Sequence, residues 1–279
     1  MAAVVLTPKA APPWPVDLAP LLPAALAGLD VAAIERIELG RLAVGDLFAV
    51  RAGDAAELVI AGGSPLFDGV GTGMAAGTLR VEGDAGAFVA AGLRGGMVEV
   101  QGTVGDHLGG VPAAGRVGMA GGVVVVRGRA GAHAGDRMRR GTLVIEGDAG
   151  PYAASRMIAG TLAICGRMGS APGVLMRRGT LLLGIPPAAP PPGFVATGLP
   201  ADGVFLRLLA RALQPFSPRA AARVAAVRHR LLGDLASLGR GEMLLAAADA
   251  GASAGDGPPP SAGPASGRRD LSAGRAARP

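Results

Sequence analysis

A seven-residue pattern opening on glycine recurs along the middle of the chain: GTLRVEG from Gly77, GMVEVQG from Gly96, GVVVVRG from Gly122, GTLVIEG from Gly141, GTLAICG from Gly160 and GTLLLGI from Gly179. Four of the five intervals between these starts are equal; the fifth, Gly96 to Gly122, is longer and holds the loop-like GGVPAAGRVG. A degenerate earlier copy, AELVIAG, starts at Ala56. Units this short cannot bury a core alone, so copies must stack and the two ends of the stack need caps.

Within each unit the apolar residues alternate with period two, as a half-buried strand requires: Leu79 and Val81, Val98 and Val100, Val124 and Val126, Leu143 and Ile145, Leu162 and Ile164. Shortly before each start stands Met74, Leu93, Met119, Met138, Met157 or Met176, a second apolar column. Two further glycines recur after each strand, such as Gly147 and Gly150, and suit sharp corners and close backbone approach. A unit of this length, from Gly77 to the next start at Gly96, is too short for a helical hairpin. It predicts one rung of a three-sided parallel β-helix, an all-β solenoid.

The flanks divide the chain further. Residues 1–55 are expected to form an N-terminal cap with the first strands, including one or two short helices over 16–35 that feed the strand-like VGDLFAV at 44–50. The repeats occupy 56–185. A Pro-rich linker and two amphipathic helices, VFLRLLARAL from Val204 and PRAAARVAAVRHRLL from Pro218, fill 186–247 and would cover the end or flank of the column. The Ala, Gly, Ser and Pro tract over 248–279 has too little apolar surface to order itself and predicts a disordered tail.

Charge and cysteine content exclude several function classes. The net charge of +6 resides mostly in the C-terminal stretch 201–279, where arginines outnumber carboxylates without a series of aromatic residues interleaved for base stacking. Nucleic acid is therefore not the expected partner. One cysteine, Cys165, provides neither disulfide nor cysteine metal site and suits a reducing cytosol. The longest uncharged stretch, Gly179 to Ala201, is broken by six prolines, so no membrane span is expected.

No catalytic constellation emerges. GTGMAAG at Gly71 leads into a strand rather than a helix, which removes the dinucleotide reading. His107, His133 and His229 lack metal-ligand spacing in the sequence, and Asp84 and Asp148 are replaced by Thr103, Arg129 and Arg167 in other copies, which argues for turn aspartates over a calcium repeat. Cys165 has no adjacent base. Hexapeptide acyltransferases do not fit this period, which is not a multiple of six. Two surface features point to interaction instead. The central outward residue of the strand becomes apolar along the stack, at Val125, Val144, Ala163 and Leu182, and such a ladder needs a cover: the chain's own C-terminal helices or a partner subunit. Arg137, Arg139, Arg140, Arg156, Arg177 and Arg178 cluster near the neighbouring corner and are candidate contacts for an acidic partner.

The tandem glycine units, the segment GDAGPYAASRMIAGTL, the lead-in VGDLFAV and the closing FLRLLARALQPFSPR resemble the C subunit of the formylmethanofuran dehydrogenase family, in the branch of the bacterial formyltransferase/hydrolase complex. The resemblance covers about residues 1–245 and extends to the glycine-repeat domain of glutamate synthase. It implies a right-handed β-helix with helical caps, acting as a non-catalytic assembly subunit in the cytoplasm. The implied partners are hydrolase and formyltransferase subunits. The complex they form would transfer formyl between tetrahydromethanopterin and methanofuran and release formate, with a metal in the hydrolase subunit and no cofactor in this chain. The C subunit of a molybdenum or tungsten formylmethanofuran dehydrogenase, or a free-standing binding module, are the alternatives.

Overall fold

The computed structural model describes residues 3–113, 115–198 and 203–247. The elements before the repeats are β1 (Ala3–Pro8), β2 (Val16–Asp17), α1 (Pro23–Leu26), α2 (Val31–Glu35), β3 (Glu38–Leu39), β4 (Leu42–Ala43), α3 (Val44–Leu47) and β5 (Phe48–Arg51). The repeat region supplies β6 (Asp54–Ile60), β7 (Phe67–Asp68), β8 (Thr78–Val81), β9 (Met97–Val100), β10 (Ala120–Val126), β11 (Arg140–Ile145), β12 (Thr161–Ile164) and β13 (Arg178–Leu183). After it come β14 (Val195–Ala196), α4 (Gly203–Leu213), α5 (Pro218–Ala225), β15 (Val227–Gly233) and β16 (Arg240–Ala246).

Twelve strands join in one mixed sheet, in the order β14-β15-β16-β13-β12-β11-β10-β9-β8-β6-β1-β5. The pairs from β1–β6 through β13–β16 are parallel, and β10, β11, β12 and β13 align Thr142, Thr161 and Thr180 in register behind Val123. The inward columns expected from the period-two pattern lie in one hydrophobic core: Leu79, Val98, Val124, Leu143, Leu162 and Leu181 are fully buried, as are Leu93, Met119, Met138, Met157 and Met176.

The three-sided right-handed β-helix expected from the sequence is corrected by this architecture. From Gly77 onward each repeat contributes one strand to a single sheet, while the earlier copy adds β7, which pairs with β2 in a separate two-stranded sheet. Among the described residues the second side of these repeats makes only isolated bridges, Ala85 to Val104, Ala130, Ala149 and Met168 in turn, and both sheet ends finish with antiparallel pairs, β1–β5 and β15–β16 followed by β14–β15. The reason is in the backbone. Beyond each bridge residue the chain enters the left-handed region at every second residue: Tyr152 (φ 63°), Ala154 (59°) and Arg156 (53°) in one repeat, Ala171 (53°), Gly173 (66°) and Leu175 (57°) in the next. A strand requires consecutive extended residues, so a second ladder cannot continue there.

Glycine is required at two kinds of position. The strand-opening Gly141 has φ +98°, and a Cβ on it would meet the carbonyl oxygen of Gly122 at 2.7 Å. At the corner, a Cβ on Gly147 would stand 2.5 Å from the oxygen of Gly128, so successive repeats can only approach this closely without a side chain.

The flanks differ from expectation in detail. On the N-terminal side α1 and α2 form, with Asp30 Oδ1 accepting the amide of Ala33 at 2.7 Å as the cap of α2, but VGDLFAV begins as the helical turn α3 before becoming β5. On the C-terminal side the second helix stops at Ala225, and residues expected to prolong it form β15, which pairs with β16. The end of the sheet is thus closed by strands, while α4 and α5 lie on its outer face. The tail expected to be disordered lies outside the described residues.

Candidate functional site: the helix-covered face and the arginine cleft

The outer face of the sheet carries the apolar ladder expected from the sequence. Strand register places Val125, Val144, Ala163, Leu182 and Leu244 side by side, and all five are fully buried. They form a second hydrophobic cluster with Cys165, Leu213, Ala220, Ala221, Val224 and Val227, against which Phe205, Leu206, Leu209 and Phe216 pack. Of the two covers considered for this ladder, the chain's own helices occupy the position.

A polar network fixes α5 there. Arg127 donates to Glu99 at 2.7 Å and to Glu146 at 2.7 Å. The α5 cap residue Ser217, itself fully buried, accepts the amide of Ala220 at 3.1 Å and donates its hydroxyl to the same Glu146 oxygen. Burial opposes the charge on Arg127, but its bonds to Glu99 and Glu146 outweigh that and hold its pKa above the usual value. Two carboxylates that would repel each other are joined by one guanidinium, whose planar fork suits this bridging role. In the same layer Cys165 has its thiol pushed up to about 11, first by burial and then by Glu146, against the opposing influence of Arg219 and Arg223. It stays a neutral packing group, not a thiolate nucleophile.

The six arginines singled out in the sequence separate into two groups. Arg139, Arg140, Arg177 and Arg178 are exposed and, with Ile158, Ala159 and Leu238, line a cleft of about 370 Å³. Arg240 lies next to Arg178 in the strand register and extends the basic edge. Arg156 instead turns to the buried Asp136, donating at 2.9 and 2.8 Å, and the Ser155 hydroxyl adds a bond of 2.8 Å to the same carboxylate. Arg137 lies outside the lining of the cleft, its backbone in the left-handed region at φ 52°.

Linear spacing missed one constellation. His107 and His133 are far apart in the chain, yet they occupy the same place in their repeats, counted from the opening Gly96 and Gly122, and stack with ring centroids 5.0 Å apart. The His107 pKa is lowered by burial and by His133, with Arg156 acting in the same sense and Asp106 and Asp136 against it. Nδ1 of His133 is buried without a hydrogen-bond partner. His229 sits apart on β15. The turn aspartates are bonded between repeats: Asp84 Oδ1 accepts the amide of Thr103 at 2.7 Å and Asp148 Oδ1 that of Arg167 at 2.8 Å. Among the described residues no group of three or more His, Cys, Asp or Glu is placed to hold a metal, and no helix is long and apolar enough to cross a membrane.

No family model matches the chain. The C subunit of the formyltransferase/hydrolase complex of Methylorubrum extorquens is 41% identical over 78 residues, a segment that spans 26% of this chain and 29% of that relative. The crystal structure of the formyltransferase/hydrolase complex from Methylorubrum extorquens, in complex with methylofuran, contains a chain that superimposes with a TM-score of 0.74 at 38% identity, covering 87% of this chain and 99% of that one. The chain belongs to the family of the C subunit of the formyltransferase/hydrolase complex. Because the structural likeness runs over almost the whole of the compared chain, it takes in segments flanking the repeats as well as the repeats, so membership of the C-subunit family rests on more than a shared glycine pattern.

Proposed function

We propose that this chain is the non-catalytic structural and assembly subunit of a formyltransferase/hydrolase complex. That complex transfers formyl between tetrahydromethanopterin and methanofuran and releases formate in one-carbon metabolism. The chemistry lies with hydrolase and formyltransferase partners, the metal with the hydrolase, and the assembly works in the cytoplasm. The observation that carries this reading is the 38% identity maintained over 99% of a chain from such a complex. Both relatives come from a formyltransferase/hydrolase complex, and neither favours the molybdenum or tungsten dehydrogenase.

Two surfaces serve assembly in this reading. The ladder at Val125, Val144, Ala163 and Leu182 is taken up by the chain's own helices, so the surface offered to partners on this face is the outer side of α4, where Leu208 is 63% exposed. The cleft of Arg139, Arg140, Arg177 and Arg178 receives an acidic surface, and its basic edge, prolonged by Arg240, steers that approach at low salt.

The test is to purify the chain from its native source by an affinity tag at low salt, identify what co-elutes by mass spectrometry, and assay formylmethanofuran hydrolysis in the eluate and in the isolated chain. Stoichiometric hydrolase and formyltransferase partners, with activity only in the assembly, are expected. A monodisperse chain without partners would refute the assignment.

A further inference from the structure

Two recurrent amide bonds join the corner sides of successive repeats. Along the bridge column the amides of Ala85, Val104, Ala130 and Ala149 donate to the carbonyls of Thr103, Arg129, Asp148 and Arg167, each at 2.9 Å. Three residues further on, Phe88, His107, His133 and Tyr152 donate to Asp106, Ala132, Pro151 and Ser170 at 2.8 to 2.9 Å. Each of these repeats therefore offers two amides to the one that follows, which answers with two carbonyls three residues apart.

The repeat that carries Met168 and Ala171 breaks this rule. Strand register sets Leu183 beside Ile164, so Pro187 and Pro190 stand where Met168 and Ala171 stand one repeat earlier, and the carbonyls of Pro186 and Ala189 are due to accept. Neither bond forms: among the described residues the amides of Met168 and Ala171 have no acceptor. Proline fixes φ near −65° and keeps the residue before it extended, so the run from Pro186 to Pro192 cannot follow the alternating left-handed path of the repeats. A cleft of about 480 Å³ opens where the two segments part, lined by Met168, Ser170 and Ala171 from the repeat and by Ile185, Pro186 and Pro190 from the proline run. A third corner amide is closed at this end: Arg156 donates to the carbonyl of Val174 at 2.8 Å, and its equivalent Leu175 donates to the Asp234 carboxylate at 2.8 Å. Ala171 thus keeps its left-handed backbone, φ 53°, without the bond that accompanies it in the earlier repeats.

We propose that an extended segment of a partner subunit adds to the stack in this cleft, in place of the repeat that the proline run fails to supply. Two of its backbone carbonyls, three residues apart, accept the amides of Met168 and Ala171. The occupant is polypeptide rather than a small anion, because in every earlier repeat the same two donors are matched by two carbonyls of one chain. Addition of an extended segment to an open backbone edge draws affinity from such main-chain bonds. Ile185 and the prolines supply apolar walls, so the side chains that the segment turns towards them are apolar. The proposal rests on the reading of this chain as an assembly subunit.

Amide hydrogen exchange, resolved to single residues by mass spectrometry with fragmentation, is measured on the full chain alone and on the complex purified from the native source. In the isolated chain Met168 and Ala171 should exchange fast, while Ala149 and Tyr152, their equivalents one repeat earlier, are protected; in the complex all four should be protected. Exchange at Met168 and Ala171 that stays fast in the complex overturns this proposal and leaves the assembly role standing, whereas a chain that brings down no partner overturns both. Protection already present in the isolated chain and lost on removal of residues 248–279 gives the cleft to the chain's own C-terminal segment and overturns the partner assignment. Met168→Pro deletes a donor that no bond within the chain uses. On dilution its complex should dissociate at roughly 2- to 10-fold higher concentration, the worth of one backbone hydrogen bond. Unchanged dissociation overturns the proposal, and if this variant does not fold, exchange in the unmodified complex decides.

Discussion

Replacing Ser217 with alanine removes two bonds made by one atom. The hydroxyl caps α5 by accepting the Ala220 amide and donates to Glu146, and the residue is fully buried, so no water replaces it. Loss of a serine cap costs about 1 kcal/mol, and loss of a hydrogen bond to a charged group about 2 kcal/mol. Glu146 keeps its bond to Arg127, so it is not left as an unpaired buried charge and the larger penalty for that does not apply. An effect of about 3 kcal/mol lowers the thermal midpoint of a domain this size by roughly 6–12 °C. Ser217→Thr keeps both bonds and should stay near the parent midpoint. Ser217→Asp keeps the cap but sets a second carboxylate against Glu146, and should fall below the alanine variant. Circular dichroism melts of the four proteins measure this. A Ser217→Ala midpoint indistinguishable from the parent would show that α5 is held by its apolar face alone.

Three other perturbations have defined outcomes. Reversing Arg139 and Arg177 to glutamate should weaken salt-dependent association with partners while leaving the melt unchanged, read by co-purification at low and moderate salt; equal recovery would remove the cleft from assembly. With its pKa raised from 9.0 to about 11, Cys165 favours the folded state fully below pH 9, and that preference is lost as pH rises towards 11. Native protein should therefore resist iodoacetamide at pH 8 and react on unfolding, whereas rapid native labelling would contradict the burial. His107 has a lowered pKa and prefers to be neutral when folded, so its contribution is present above about pH 6.5 and is lost as pH falls below it, tempered by Asp106 and Asp136. The variant His107→Phe keeps a ring stacked on His133 and should flatten the fall in melting temperature between pH 6.5 and 5; an unchanged slope assigns the acid sensitivity elsewhere.

The strand side of the fold was legible because period-two burial is a local property: Leu143 and Ile145 flank Val144 whatever lies above them. The outer ladder was legible for the same reason, but which of its two possible covers it takes was not, since α4 and α5 reach it only through tertiary packing. The end strands were less accessible. Val224, Val227 and Leu231 lie at helix-compatible spacing, and the chain leaves the helix after Ala225 because β16 offers a strand edge further along, an advantage no local propensity contains. A usable signal did exist. RGEMLLA at Arg240 matches RGTLLLG at Arg178, and the structure pairs Arg178 with Arg240 and Leu181 with Met243. The distance between the two copies, far longer than one repeat, hid the match.

The corner side shows why the period alone misled the architecture. Glycine spacing reports where a backbone turns and where two backbones touch, but it does not distinguish a sharp bend between strands from a run that alternates in and out of the left-handed region. Here Phe88, His107, His133, Tyr152 and Ala171 are all non-glycine residues in that region, which costs each of them on the order of 1 kcal/mol. Amide bonds to the neighbouring repeat and the ring contacts compensate, and both exist only when copies stack. The corner is therefore stable as an array and unstable as a single unit.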